Sequence, residues 1–401
     1  MELYLQFGYG MMGHSEALLK EWGRGTVILS PRDLDPKQLV EFGGKLQGLG
    51  GAALFDSQFY LPADDLTNLQ KHSYWPNNYA SGLFWSGHAL TSLVEKLIEL
   101  NDALRTDCFL LPGLFAPSID DGWLHRQQAV IDESLRLDIP KERLYASVAV
   151  SGEVARDNIQ IHRILDAAAN WEIEGVYLVC EHPNGDYLVT DPNWVANVLD
   201  LVSSFRLMGK KVILGYCNQQ MLIAATAGAN AISSGTWMNV RSFPPDKFRN
   251  PDGDSFKQKS TWHYCPTGLS EYKLPFLDIA QKNGVLDLLS SPAELESQYA
   301  NPLFSGPQPS LIPYSEKTSF RHYLQCLRAQ TLTLHHPTFD DTVLAYEEML
   351  SKSEAVLKKL HEKGVTGQNR DFREIVAVNR AALSVLQTGN GPRLRRNWAQ
   401  L

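Results

Sequence analysis

Short apolar runs and amphipathic stretches alternate along the first two-thirds of the chain. The runs lie at 3–8 (LYLQFG), 26–30 (TVILS), 52–56 (AALFD), 108–113 (CFLLPG), 144–150 (LYASVAV), 175–179 (GVYLV), 211–216 (KVILGY) and 230–235 (NAISSG). Each has the length and residue types of a buried strand. In the segments between them apolar residues recur at three- and four-residue steps, the period of a helix packed on one face. Two of these segments open on Asp-Pro, at Asp35-Pro36 and Asp191-Pro192. That pairs an N-cap carboxylate with proline at the first helical position. Eight strand–helix alternations predict an α/β fold, a (β/α)8 TIM barrel. A doubly wound open sheet is the rival. It normally uses fewer strands and a glycine-rich first turn, and neither GxGxxG nor GxxxxGK[ST] occurs.

After the eighth run the rhythm changes. Residues 242–313 are rich in Pro, Gly and Ser, which predicts an excursion with one or two short helices closing over the barrel. Residues 314–401 read as a helical C-terminal extension. The expected organisation is thus a barrel domain over 1–313 and a helical region over 314–401. The segment VLAYEEMLSKSEAVLKKL is amphipathic, and its apolar face suits either the barrel or a protein partner.

Charge narrows the partners. The 401 residues carry 37 basic and 45 acidic side chains, a net −8, which argues against nucleic-acid binding by bulk charge and leaves a local basic groove open. Five scattered cysteines without a CxxC pair fit reduced thiols in a cytoplasmic protein. No signal peptide and no apolar run of membrane-spanning length is present, so no membrane association is expected. Zinc-ligand spacing and flavin or nucleotide fingerprints are missing, so neither metal nor cofactor is predicted.

In a barrel the chemistry sits at the carboxyl ends of the strands. The first tip brings His14, the second Arg32, and the third Asp56, Ser57 and Gln58. Aspartate is a poor strand residue, and a lone buried carboxylate is costly, so Asp56 at the end of an apolar run marks either a site or a loop cap. The sixth tip brings Glu181 and His182, candidate base and shuttle, or members of a Pro-Asn-Gly turn. The seventh brings Asn218 and Gln219, amides that donate and accept. The eighth brings Ser233, Ser234, Trp237 and Arg241: hydroxyls, an indole able to stack on a flat ligand, and a guanidinium able to hold phosphate or pair with a carboxylate.

These tips, above all FDSQF at 55–59 and ILGYCNQQMLIAATAGANAISSGTWMNVRSF at 213–243, resemble the tRNA-guanine transglycosylase superfamily, including its DNA-acting relatives that insert deazaguanine bases. The resemblance covers the barrel and not the helical C-terminus. It implies a (β/α)8 barrel that exchanges a guanine-type base at a nucleotide anomeric carbon, with tRNA or DNA as partner. It implies that Asp56 acts early in base exchange, with Ser57 beside it and Asn218 and Gln219 near the base. The chain departs from the family where an eighth-strand aspartate is expected, since it reads AISSGTW there, and it has no Cys-rich zinc motif. Asp56 and Glu181 are the carboxylate pair that such chemistry would use. Two other readings fit the same fold: a hydrolase or lyase acting on a small molecule, and a catalytically degenerate barrel serving as a subunit of a nucleic-acid-modifying complex.

Overall fold

A computed structural model of the chain describes residues 1–62, 66–76, 83–248, 260–295 and 297–401. Every apolar run forms a strand. These are β1 (Glu2–Gln6), β2 (Gly25–Leu29), β3 (Gly51–Phe55), β6 (Leu144–Val150), β7 (Gly175–Cys180), β8 (Lys211–Leu214) and β9 (Ala231–Ser234), while the fourth run gives two short strands, β4 (Phe109–Leu110) and β5 (Phe115–Ala116). All pair in parallel, in the order β3-β2-β1-β9-β8-β7-β6-β4, with β5 also on β6.

That is the circular order of a barrel, yet the ring is not closed: β3 and β4 do not pair. The expected closed TIM barrel is therefore corrected to a curled, open parallel sheet. The fourth run itself is irregular. Pro112 offers no N–H to a ladder, and Gly113 is pressed so close to β6 that a Cβ there would stand 2.2 Å from the Ser147 carbonyl oxygen. The run breaks at this point, leaving β4 only two residues long. A backbone hydrogen bond spans the open side near the carboxyl end, from Phe115 N–H to the Tyr60 carbonyl at 2.8 Å.

The helices that cover the sheet are α1 (Met12–Trp22), α2 (Pro36–Gly48), α3 (Gly87–Leu104), α4 (Asp121–Arg136), α5 (Gly152–Arg156), α6 (Asn158–Ala168) and α7 (Pro192–Leu207). Asp35 caps α2 in a reciprocal capping box with Gln38, and Asp191 caps α7. The helical segment expected after β8 is a fully buried 3-10 helix, Gln219–Ala227, capped by Asn218.

Within 242–313 an antiparallel hairpin forms, β10 (Trp262–Cys265) with β11 (Ser270–Lys273), turning at Pro266-Thr267-Gly268, and is followed by α8 (Leu274–Lys282). The C-terminal helices are α9 (Glu316–Thr333), α10 (Phe339–Glu362), α11 (Arg373–Thr388) and α12 (Gly391–Asn397). Leu324 and Phe372 of this region share one hydrophobic core with Leu5 and Val198 of the sheet and its helices. Among the described residues, no helix is long and apolar enough to cross a membrane.

Candidate functional site

Asp56 follows the last residue of β3, and its side chain is buried at 2 % exposure. It is not alone there. Its carboxylate accepts from the Tyr60 hydroxyl at 2.7 Å, the Tyr216 hydroxyl at 3.1 Å and the Gln58 backbone N–H at 2.9 Å. Burial pushes its pKa up to about 6, against the pull of hydrogen bonds from Tyr60, Gln58, Tyr216 and Tyr177. A carboxyl poised in this range suits proton transfer near neutral pH.

A polar layer surrounds it inside the curled sheet. Gln58 accepts at Oε1 from the Ser30 hydroxyl at 3.1 Å and the Arg32 backbone N–H at 3.3 Å, and donates from Nε2 to the Tyr216 hydroxyl at 3.1 Å. Both Gln58 and Tyr216 adopt left-handed backbone conformations, with φ of 52° and 56°. Such conformations are uncommon for residues other than glycine and concentrate at functional positions. Gln6, at the end of β1, accepts from the Tyr177 hydroxyl at 3.0 Å and the Ser233 hydroxyl at 2.7 Å. Gln6 is fully buried, and its Nε2 has no hydrogen-bond partner among the described residues. Glycine makes room for this layer: a Cβ on Gly215 would fall 2.6 Å from the Tyr177 hydroxyl oxygen.

Aromatic rings roof the layer. Phe243 lies 5.0 Å from the Tyr60 ring, 5.3 Å from Tyr216 and 5.6 Å from Phe248, and the Arg32 guanidinium stands 5.7 Å over Phe248. The same Phe243 pairs through its backbone with Glu181. The Glu181 carboxylate accepts from the Gly152 N–H at 3.0 Å, and its backbone carbonyl accepts from the Trp194 indole at 3.0 Å. Glu181 is thus joined to the aromatic roof through its backbone, while its carboxylate meets the start of α5.

Other expected residues lie elsewhere. Arg241 is buried, and its guanidinium meets Glu271 at 3.1 Å and stacks 3.5 Å over the Tyr323 ring. Arg370 meets the same carboxylate at 2.8 Å, and the Tyr187 hydroxyl donates to it at 2.8 Å. Burial raises the Glu271 pKa, but Arg370 and Arg241 outweigh it and hold the carboxyl below its usual range. Gln219 accepts from the Tyr187 and Tyr323 hydroxyls at 3.2 and 3.3 Å, and the Ser234 hydroxyl lies 3.5 Å from that of Tyr323. Asn218 donates to the Tyr187 carbonyl. Arg241, Gln219 and Ser234 therefore tie the strand tips to the hairpin and the C-terminal helices, and Asn218 ties the β8 tip to the segment after β7.

His182 is buried against Trp194, with Nδ1 2.9 Å from the Asp186 carbonyl oxygen, and burial pulls its pKa down to about 4. It secures the Pro-Asn-Gly turn as a neutral ring. His14 packs 5.8 Å from Phe320, and burial, then Arg321 and Lys317, lower its pKa to about 4. Trp237 packs 5.0 Å from the same ring and donates its indole N–H to the Tyr9 carbonyl at 3.2 Å. Ser57 contributes its carbonyl, which accepts from Tyr74 at 2.9 Å. All five cysteines are buried and free, and burial lifts the Cys180 thiol to about 12 and Cys217 further, which removes both as ready nucleophiles. Among the described residues, no group of three or more His, Cys, Asp or Glu is placed to hold a metal ion.

Sequence reasoning located Asp56, Gln58 and Ser233 in this layer and missed Gln6, Tyr60, Tyr177 and Tyr216. The available signals were Gln6, an amide inside the apolar run at 3–8, and Tyr216, which ends the run at 211–216. Fold and site together define an α/β protein whose curled parallel sheet holds a carboxylate-centred polar layer at its carboxyl end. Comparison with protein-family models and with curated proteins finds no match.

Proposed function

We infer that the chain is a glycosyl-transfer enzyme of the guanine-transglycosylase type, an opened relative of the (β/α)8 barrel that works on a base of tRNA or DNA. The observation that carries this reading is the pairing of a buried acceptor, Asp56, with a buried donor lacking a partner, Gln6 Nε2, in one aromatic-roofed layer. Tyr177 stands between the two: its hydroxyl donates to Gln6 Oε1 at 3.0 Å and is near enough to Asp56 to act on its pKa. A guanine-type base offers the complement: a carbonyl acceptor beside N–H donors on one edge, and a flat face for stacking. A base in a polynucleotide would have to be unstacked to reach this layer, and the Tyr60, Phe243 and Phe248 rings would have to part around it.

In base exchange the bond from the sugar anomeric carbon to the outgoing base breaks, and that base leaves with a proton. The incoming base gives up a proton as the new bond forms. Asp56, with its raised pKa, is the proton carrier in this scheme. Glu181 is the second carboxylate, supporting positive charge at the sugar carbon. The test is transfer of labelled guanine or a labelled deazaguanine into tRNA and into duplex DNA, with Asp56→Asn alongside. Label in one polymer, lost in the variant, supports the reading. No label in either polymer overturns autonomous exchange.

A second reading, a degenerate barrel acting as a subunit, is favoured by the β9 tip. Ser233 and Ser234 occupy it, both fully buried and engaged with Gln6 and Tyr323, where the family that the chain resembles places an aspartate. Exchange that appears only after a co-purifying protein is added would select it.

A further inference from the structure

The end of the sheet opposite Asp56, where the strands begin, holds a cavity of about 820 Å³. It lies between the strand starts, the end of α7 and the connection leading into α10. Among its lining side chains are Arg24, Arg206, Lys211, Tyr145 and Trp398, with Glu2 as the lining carboxylate.

Arg206 is the unusual member. It sits in the last turn of α7 and is only 4 % exposed. Its Nη1 donates to the Lys210 carbonyl at 3.0 Å, while its Nε has no acceptor among the described residues. Among those residues no carboxylate lies within ion-pair distance of it. A helix C-terminus favours a cation nearby, which accounts for part of its placement. It does not account for burying a guanidinium whose fork is incompletely used. Lys211, by contrast, has its own counter-ion, Glu174 at 2.9 Å.

Tyr145 adds a second donor. The residue is 7 % exposed and lines the cavity. The ring takes this position because residue 175 is glycine: a Cβ there would stand 2.3 Å from Tyr145 Cε1. Burial raises the Tyr145 pKa well beyond the neutral range, so the hydroxyl keeps its proton and donates.

We propose that this cavity binds a phosphate-bearing small molecule, with Arg206 as the buried donor, the Tyr145 hydroxyl in the lining and Arg24 and Lys211 at the rim. The planar guanidinium matches a tetrahedral oxyanion in two directions. The volume falls in the range of ordinary small-molecule pockets and exceeds what a bare phosphate fills. Trp398 in the lining offers a flat surface for the remainder of the ligand.

The test is calorimetric titration of the full chain with inorganic phosphate, pyrophosphate and guanosine 5′-monophosphate at low salt. Binding of at least one probe is expected. Arg206→Gln should weaken it about tenfold or more, and Tyr145→Phe several-fold. A response to phosphate alone identifies a free-anion site, and a response confined to the nucleotide identifies a nucleotide site. Absence of binding for all three probes at concentrations of about 10 mM overturns the proposal. So does binding unaffected in both variants, their folds checked by circular dichroism. Should Arg206→Gln fail to fold, Arg206→Lys, which keeps the charge and loses the fork, takes its place, and unchanged binding in Arg206→Lys and Tyr145→Phe together overturns it.

Discussion

Tyr60 turns its hydroxyl back onto the Asp56 carboxylate at 2.7 Å, while its own carbonyl accepts a backbone hydrogen bond from Phe115 that bridges the open side of the sheet near its carboxyl end. The candidate acid and the unclosed seam are thereby fastened to one residue. Loosening Tyr60 would affect both the ionisation of Asp56 and the gap between β3 and β5.

Asp56 makes stability depend on pH. Its carboxyl titrates near 6 in the folded chain, against 3.8 for an unperturbed aspartate. Between these values the native state holds more protons than the unfolded state, so stability falls as pH rises through the window. The penalty is absent below about 4, complete above about 6, and amounts to about 2 to 3 kcal/mol. Asp56→Asn lacks it. Urea denaturation of both proteins from pH 4 to pH 7 should show the variant gaining on the parent by that amount as pH rises. Parallel curves would contradict the assignment.

The buried ion cluster should be sensitive to loss of its single carboxylate. Glu271→Gln leaves Arg241 and Arg370 without their shared counter-charge and should cost about 3 to 5 kcal/mol, read as a lowered urea midpoint. Removing Lys37 from its exposed pair with Glu41 should cost under about 1 kcal/mol.

Two glycines should respond to alanine in opposite directions. A Cβ on Gly235 would stand 2.5 Å from the Gln6 carbonyl oxygen, a backbone atom of β1 that cannot yield easily. Gly235→Ala should destabilise by about 1 to 3 kcal/mol. Gly13, inside α1, has nothing within 4 Å of its Cβ position, so Gly13→Ala should stabilise by up to about 1 kcal/mol. Thermal melts of the two variants check the pair.

The five thiols should be silent in the native protein. Cys108, Cys180, Cys265 and Cys326 are each raised to about 12 by burial, and Cys217 further. A disulfide reagent at neutral pH should label none of them quickly and all five after unfolding. Rapid labelling of one thiol in the folded chain would show that its strand tip opens.

Local pattern alone determined a good deal of this protein. The eight apolar runs, the helical period between them and the Asp-Pro starts at Asp35 and Asp191 are all read within a few residues, because side-chain burial and helix capping are short-range properties. The place of Asp56 was legible for the same reason, as a carboxylate at the end of an apolar run. Tertiary structure decided the rest. Whether β3 meets β4 depends on where strands distant in sequence are placed, which no periodicity encodes. Arg241 read equally as a phosphate ligand or an ion-pair partner until the hairpin carried Glu271 to it. Gln6, Tyr177, Tyr216 and Ser233 come from β1, from β7, from just past β8 and from β9. They converge around Asp56 only because strand order, register and sheet curvature bring distant segments together, and those are set by packing across the whole chain.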